Sequence, residues 1–446
     1  MARFKQFHDP ELSIWQAAVG EVEAQAAVST QVQDVGAAQV ISGRPDDLDA
    51  MSSEAIAYCR HVEDGTPMVE TAAGQPSTEG LLQTLGFCSL AALKLAKAKI
   101  LGDAEGPHQV GLAKFGDCDP KYTEAAAKYA AYFVAQQKQI PYIVYKNLSD
   151  FVLDGKLPSR AKIAILGDWG TGQDAAKLVL RQIADKNPDV VIHLGDIYYA
   201  GTEFEMNTYF LGIWKQVLNL GDKLDRIPTF TLAGNHDMYS GGVPYYQLIQ
   251  KLGQPASYFC LRNANWQFIA LDTGYHDHNP AAGGDGATYL QDTEVTWLAD
   301  KVNNAGGRRN VLLSHHQLFT AFDAIDNGEI NMRLYPQVAP LLSKVALWIW
   351  GHEHDFVLYD AYKNLARSCC LGHAAFPVGQ EEVPTVPKHP QVPLIKGDDG
   401  NPVRLGVTGG LYNHGYAVID IDGAAGQISY YQDSDEDTPM FTQALT

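Results

Sequence analysis

Short apolar runs, each followed by a polar turn, dominate the chain from Ala161 onward. The first two strands are predicted from KIAIL at 162–166 and VVIHL at 190–194, and Gln173–Lys186 between them predicts a helix that Asn187-Pro188 ends. Further strands are predicted at 229–233, 311–313, 347–350 and 415–422, and SYFCLR with WQFIALD predicts a hairpin. Strands that alternate with helices and then follow one another indicate an α/β fold of stacked mixed β-sheets flanked by helices.

The chain before this pattern is rich in alanine and predicts a mainly helical N-terminal region over residues 1–157. Residues 81–101 form one candidate helix with an apolar face, and residues 121–139 form a second that Pro141 ends. No chemical motif occurs in this region. It is interpreted as a structural helical region, with a lid or an oligomer interface as the alternative, and residues 158–446 as a separate α/β domain.

Charge and composition argue against some classes of binding partner. The chain of 446 residues is 46% hydrophobic, which is enough for a sizeable core, and carries a formal net charge of −19. Nonspecific nucleic-acid binding relies on a positive field, so no nucleic-acid partner is expected. An anionic substrate would require positive charge at its binding site, and bound metal ions supply such charge locally.

Cysteine usage and the N-terminus indicate a cytoplasmic protein. None of the six cysteines forms a CxxC pair, and the first residues contain no apolar stretch of the kind that signal peptides require. The longest apolar runs, such as 345–350, are too short to span a bilayer, so no membrane partner is expected. A leader that has been removed would leave secretion open, and the oligomeric state is not predicted.

Chemistry-bearing residues follow five of the predicted strands. They are Asp168, Asp196, the run Asn235-His236-Asp237, the pair His315-His316, and the run His352-Glu353-His354. Ligands bind outside the carboxyl ends of strands in α/β folds, so these residues are expected to meet. Carboxylates, imidazoles and an amide oxygen suit iron, zinc or manganese. Ligands from five strand ends exceed what one ion needs and suit two ions that share one carboxylate.

The motifs GDWG, GDIYY, GNHD, LLSHH and GHEH resemble, in order, the five signature blocks of the calcineurin-like metallophosphoesterases. The resemblance covers about residues 160–430 and implies a four-layer fold that hydrolyses phosphate esters at a dinuclear metal centre, with residues 158–446 as the catalytic domain. Any one block is weakly specific, whereas five in order after predicted strands form a strong signal.

Two positions make the chain similar to the purple acid phosphatases within that superfamily. The first block lacks the histidine of the common Asp-x-His pattern, and Tyr199 stands three residues after Asp196. The resemblance implies that Asp168, Tyr199 and His354 hold one ion, that Asn235, His315 and His352 hold the other, and that Asp196 bridges them. The implied ions are iron plus a second iron, zinc or manganese ion.

The same resemblance implies roles for the remaining residues. A metal-bound hydroxide would attack phosphorus, His236 would contact the phosphate or act as general acid, and Asp237 would orient His236. The function expected is hydrolysis of small phosphate monoesters. The alternative is a phosphodiesterase acting on cyclic nucleotides or lipid headgroups, because the same metal core serves both reactions.

Several of these residues have plainer interpretations. Tyr199 is either a ligand or a packed aromatic, since Tyr198 is adjacent. His316 either contacts substrate or supports a metal ligand, and His373, in a loop after a strand, either reaches the phosphate or is structural. His193, inside its strand, is interpreted as a core histidine.

Overall fold

The computed structural model describes residues 139–198, 200–218, 226–278, 287–325, 327–380, 383–408 and 410–445. These residues belong to one compact unit that begins at Gln137, which is earlier than the boundary predicted at residue 158. The helices predicted at 81–101 and 121–139 lie outside the described residues, apart from Gln139.

The described residues contain fifteen strands. In chain order they are β1 (Val152–Asp154), β2 (Arg160–Leu166), β3 (Val190–His193), β4 (Thr229–Thr231), β5 (Phe259–Arg262), β6 (Trp266–Ala270), β7 (Arg309–Leu313), β8 (Val345–Trp350), β9 (Phe356–Tyr359), β10 (Ser368–Leu371), β11 (Val407–Thr408), β12 (Leu411–Tyr412), β13 (Gly415–Asp422), β14 (Ala425–Gln432) and β15 (Phe441–Ala444).

The helices lie mainly in the connections between these strands. In chain order they are α1 (Asp174–Asp185), α2 (Glu203–Glu205), a π-helix (Met206–Gly212), α3 (Ile213–Val217), α4 (Val243–Lys251), α5 (Asp292–Asn303) and α6 (Tyr335–Val338), with short 3₁₀ turns at His236–Met238 and Leu342–Lys344. Among the described residues, none of the helices has the combination of length and apolar character that crossing a bilayer requires.

The strands form two large mixed sheets and a small ribbon. One sheet has the order β1-β5-β6-β7-β8-β10-β9, the other has the order β15-β14-β13-β2-β3-β4, and β11 pairs with β12. Strand β1 precedes the predicted domain boundary, yet it pairs in parallel with β5. The catalytic unit therefore includes part of the segment that the sequence assigned to the N-terminal region.

The two large sheets pack face to face, as alternation along their strands requires. Val311 and Leu313 of β7 contribute to a core shared with Ile163 and Ile165 of β2, and this core lies between the sheets. The intervening Leu312 faces a second core. That second core also contains Trp297, Leu298 and Val302 of α5, so a helix covers the outer face of the seven-stranded sheet.

On the opposite side, helix α1 buries Val179, Leu180 and Ile183 and packs near β13 and α3. The resulting layers are helix, sheet, sheet and helix, which confirms the predicted four-layer α/β class. The predicted core role of His193 also agrees with the structure, because this buried imidazole shares a hydrogen bond of 2.9 Å between Nδ1 and Thr231 Oγ1.

Candidate metal centre

Parallel strands of both sheets end at the predicted site. In one sheet β2, β3 and β4 are parallel neighbours, and in the other β6, β7 and β8 are parallel neighbours. The residues that follow β2, β3 and β4 include Asp168, Asp196 and Asn235, and those that follow β7 and β8 include His315 and His352. The carboxyl ends of the two strand sets thus bring residues distant in sequence to one place.

A first group of possible ligands contains Asp168, Asp196 and His354, each of which offers one atom within 4.8 Å of the others. The Tyr198 hydroxyl completes this group. It donates a hydrogen bond of 2.8 Å to Asp168 Oδ1 and lies 2.9 Å from His354 Nε2. Two carboxylates, one imidazole and one phenol form a set of hard donors that suits iron or another first-row metal ion.

The phenol in this group differs from the one expected from the sequence. The resemblance implied Tyr199 as the ligand, with a packed aromatic as its alternative, and assigned no role to the adjacent Tyr198. The structure instead places the buried Tyr198 against Asp168 and His354, while Tyr199 lies outside the described residues. The role of Tyr199 therefore stays a prediction, and Tyr198 is the tyrosine that the structure brings to the site.

A second group contains Asn235, His315 and His352. The Asn235 amide oxygen Oδ1 lies 3.1 Å from His315 Nε2 and 3.2 Å from His352 Nδ1, and these two nitrogens are 3.2 Å apart. His315 Nδ1 donates to the Leu194 carbonyl oxygen at 3.1 Å, which keeps a proton on Nδ1, so that the neutral ring directs its Nε2 lone pair at the group.

Asp196 connects the two groups. It is a member of the first group, and its Oδ2 also lies 3.3 Å from His315 Nε2 of the second. Its side chain is only 1% exposed, so its charge is stabilised by neighbours and not by water. This carboxylate is therefore placed to bridge two ions, as the sequence predicted.

The backbone around the ligands adopts conformations that few residues favour. Asp168, Asp196 and His352 have φ angles of 56°, 70° and 68°, in the left-handed region. A Cβ at Gly234 would collide with Asp196 Oδ1, and a Cβ at Gly351 would lie 2.5 Å from Asp168 Oδ2. The glycines next to the ligands are thus needed for carboxylates to approach the backbone closely, and strain of this kind is typical of functional sites.

His236 faces the bridging carboxylate. Its backbone N–H donates to Asp196 Oδ1 at 3.2 Å, and its ring Nε2 lies 3.7 Å from Asp196 Oδ2. The ring packs against the Tyr198 and Tyr239 rings, with centroids 4.7 and 4.9 Å away. His236 therefore lies beside the candidate metal centre without being part of either ligand group.

The predicted role of Asp237 as a partner of His236 is not what its contacts indicate. The buried Asp237 carboxylate accepts hydrogen bonds from three backbone N–H groups, those of Asp196, Ile197 and Gly234, at 2.8–3.1 Å. Burial and the neighbouring Asp196 carboxylate raise the pKa of Asp237, and the backbone N–H groups of Gly234 and Asp196 oppose that shift because they stabilise the ionised form. Asp237 ties the loop after β3 to the loop after β4.

The ring of His316 packs against the rings of two candidate ligands of the site. Its centroid lies 4.3 Å from that of His352 and 4.9 Å from that of His315. One ligand atom from each of these three histidines falls within 4.8 Å of the others. Both ring nitrogens of His316, however, are within 3.0 Å of other side chains, Nδ1 of Thr273 Oγ1 and Nε2 of Asp277 Oδ2. This arrangement favours the supporting role over direct substrate contact.

His373 lies beside this centre in a more apolar setting. Its ring packs against Phe356 with centroids 5.2 Å apart, and its Nδ1 has no hydrogen-bond partner among the described residues. Burial lowers the pKa of His373 to about 3, so the ring is neutral at ordinary pH. Its proposed reach to a phosphate stays a prediction.

Electrostatics couple Asp196 to His315. Burial alone would raise the pKa of Asp196, but His236 and His315 outweigh burial and lower it. Burial would likewise lower the pKa of His315, yet the carboxylate of Asp196 overcomes it and raises this pKa to about 9. Histidine binds metal in its neutral form, so an arriving ion must displace this proton, and metal affinity is expected to rise with pH.

Sequence reasoning missed the loop that follows β6. Residues Asp272–Asp277 deliver Thr273 and Asp277 to His316, across about 40 positions of sequence. The available signal was the polar turn Thr273-Gly274 directly after the predicted strand WQFIALD, which matches the pattern of the other five strand ends.

Comparison with known proteins bears on this geometry. The sequence model of the family described as calcineurin-like phosphoesterase matches residues 161–356, the stretch from β2 to the start of β9. This confirms the superfamily that the five blocks indicated.

Among curated relatives, the chain is 23% identical over 224 residues to tartrate-resistant acid phosphatase type 5 of Mus musculus, which covers 44% of this chain and 66% of the relative. The chain is also 23% identical over 227 residues to the Rattus norvegicus protein of the same name, and this alignment covers 44% of this chain and 67% of the relative. The chain thus spans about two thirds of the length of these relatives.

Similar solved structures include GAP50 of Plasmodium, with a TM-score of 0.43, 12% identity and coverage of 64% of this chain and 88% of that one. A dimetal phosphatase from Danio rerio gives a TM-score of 0.41, 13% identity and coverage of 64% and 98%.

Proposed function

We propose, from the premise that residues 161–356 are a calcineurin-like phosphoesterase domain, that this chain hydrolyses small phosphate monoesters at a centre of two metal ions. The observation that carries the proposal is the position of Asp196, which belongs to one ligand group and lies 3.3 Å from His315 of the other. A carboxylate shared between two groups is the arrangement that two-metal hydrolytic sites use.

The residues present fit such a centre. Asp168, His354 and a tyrosine would hold one ion, and Asn235, His315 and His352 would hold the other. All the donor atoms are oxygen or nitrogen, and the charge of two buried carboxylates needs compensation by cations. When bound, the ions would make a water molecule more acidic and would offset the negative charge that develops on the phosphoryl oxygens.

The protein's own contribution to the reaction would come chiefly from His236. Its imidazole faces Asp196 from outside both ligand groups, and the Tyr198 and Tyr239 rings restrict its orientation. A histidine at this position can contact a phosphate oxygen and donate a proton to the departing alcohol. Asp237 serves this step indirectly, because it ties together the loops that carry Asp196 and His236.

The metal pair that we propose is iron with a second iron, zinc or manganese ion. The support is the phenol of Tyr198 beside Asp168 and His354, since a deprotonated phenol is a hard oxygen donor. The purple acid phosphatase resemblance implies the same pairing. Iron bound by a tyrosinate absorbs visible light, which makes this part of the proposal separable from the rest.

The test begins with elemental analysis of full-length protein purified without chelator, for which we expect about two transition-metal ions per chain. Hydrolysis of p-nitrophenyl phosphate and of bis(p-nitrophenyl) phosphate is then compared. We expect a higher kcat/KM for the monoester. A higher kcat/KM for the diester would instead support the phosphodiesterase alternative.

Two variants and a control refine this test. His236→Ala is expected to keep both ions while kcat falls about 10²–10⁴-fold, the range of an acid–base group. Asp196→Asn is expected to weaken binding of both ions, whereas Asp398→Ala, an exposed carboxylate without a described partner, should leave content and rate unchanged. A single ion per chain, or loss of an ion in His236→Ala, would contradict the proposed assignment.

A further inference from the structure

The loop after β6 holds His316 by both of its ring nitrogens. Thr273 Oγ1 lies 3.0 Å from Nδ1, and Asp277 Oδ2 lies 3.0 Å from Nε2. The His316 backbone N–H also donates to Thr273 Oγ1 at 3.0 Å. One short loop therefore supplies every described hydrogen bond of this histidine's ring.

These bonds select one state of the imidazole. A carboxylate only accepts hydrogen bonds, so the contact with Asp277 places the proton on Nε2. Nδ1 is then an acceptor, and the Thr273 hydroxyl donates to it while accepting from the backbone N–H. His316 in this state has no ring nitrogen left for a phosphate.

The ring faces of His316 contact the two histidines of the second ligand group. The His316 and His352 rings are 4.3 Å apart at 40°, and the His316 and His315 rings are 4.9 Å apart and nearly perpendicular. His316 is itself fully buried, so a rotation of its ring would displace these neighbours.

Hydrogen bonds from neighbouring segments hold the loop after β6 in place. Glu294 of α5 accepts the Asp272 backbone N–H at 2.9 Å, and Thr288 donates to the Thr273 carbonyl oxygen at 2.6 Å. A Cβ at Gly274 would lie 2.5 Å from the Gly234 carbonyl oxygen, so the loop lies directly against the one that carries Asn235. A rigid support of this kind can transmit a fixed orientation to the imidazoles.

We propose that Asp277 is a positioning residue: its carboxylate holds His316 in one tautomer, and His316 in turn holds His315 and His352 in the orientation that binds metal. This inference rests on the proposed function for its link to catalysis, but the orientation itself does not depend on the reaction. Groups that orient metal-binding histidines typically affect metal affinity or activity 10–100-fold.

The test compares Asp277→Ala, Asp277→Asn, His316→Ala and the double variant Asp277→Ala/His316→Ala in the full chain, with Asp398→Ala as the control. Zn²⁺ affinity is measured by competition with a chromogenic chelator, and kcat and KM are measured with p-nitrophenyl phosphate. The His316 tautomer is read from two-bond ¹H–¹⁵N correlations, assigned by their loss in His316→Ala.

We expect Asp277→Ala to weaken Zn²⁺ binding about 10-fold or more and to lower kcat more than it changes KM. Asp277→Asn keeps an oxygen acceptor for the Nε2 proton and should restore binding to within about 3-fold of the parent protein. In the His316→Ala background, Asp277→Ala should have no further effect, because it acts through the ring that has been removed.

Additive effects in the double variant, or a His316 tautomer unchanged by Asp277→Ala, would overturn the proposal. Complete loss of one ion in His316→Ala without any effect of Asp277→Ala would make His316 a direct ligand and would also overturn it. If the parent protein hydrolyses neither ester but the Zn²⁺ affinities follow the expected order, the proposed function fails while the positioning role of Asp277 stands.

Discussion

Replacement of Asp237 by Asn separates two roles for this residue with a single change of atom type. The sequence suggested that Asp237 orients His236, whereas its carboxylate accepts hydrogen bonds from the backbone N–H groups of Asp196, Ile197 and Gly234. An amide of the same shape keeps one oxygen acceptor and turns the other oxygen into a donor. At least one buried N–H group must then face an NH₂ group.

The size of the effect follows from these three bonds. Above about pH 8, where the Asp237 carboxyl is ionised, a buried N–H left without an acceptor costs about 1–3 kcal/mol, and two bonds that lose the charge of their acceptor weaken by about 0.5–1 kcal/mol each. The sum is about 2–5 kcal/mol of the free energy of unfolding. For a unit of about 300 residues, an unfolding entropy of about 2.1 cal/mol/K per residue converts 1 kcal/mol into about 1.5 °C, so we expect Tm to fall by roughly 3–8 °C.

Calorimetry of Asp237→Asn, with and without added metal, measures this loss, and elemental analysis measures metal content. Since the bonds tie the loops of Asp196 and Asn235, we expect weaker metal binding together with the lower Tm. Asp398→Asn serves as the control for removal of a surface charge. A variant with the parent Tm and both ions but a kcat reduced like that of His236→Ala would refute the loop-tying role and restore the orienting one.

Three further predictions address other parts of the molecule. Tyr198→Phe should remove any visible absorption of iron-loaded protein; loss of the absorption in Tyr199→Phe but not in Tyr198→Phe would restore the register implied by the family resemblance. Burial raises the pKa of Asp272 to about 6, so the folded state binds its proton more tightly than the unfolded state does. Asp272 therefore makes its full contribution to the free energy of unfolding below about pH 4, and this contribution is lost as the pH rises through about 6. The expected change is about 2–3 kcal/mol, and Asp272→Asn should abolish it in denaturation curves at pH 4–7. A fragment of residues 158–446 lacks β1 and leaves the edge of β5 unpaired, so it should have a lower Tm than residues 137–446; equal Tm values would show that β1 adds nothing.

Much of the fold was predictable because its signals are local. A strand is specified by alternating or continuously apolar residues at consecutive positions, and the turn after it is specified by the next few residues. The strands at KIAIL, VVIHL and GYAVIDID, and the helix that Asn187-Pro188 ends, therefore occur close to their predicted bounds. Placement of candidate ligands directly after strands then predicts their meeting, because parallel strands of a sheet share one edge.

The tertiary structure decided what depends on contacts between distant segments. The contact of the Tyr198 phenol with Asp168 depends on how the chain bends after Asp196, and no local pattern in the sequence indicates it. Asp237 sits beside His236 in sequence, yet its partners are backbone groups that carry no signal in side-chain identity. Asp277 reaches His316 across 39 positions, and no periodicity links them. Sequence thus determined which residues could bind metal, whereas packing alone determined which residues hold them in place.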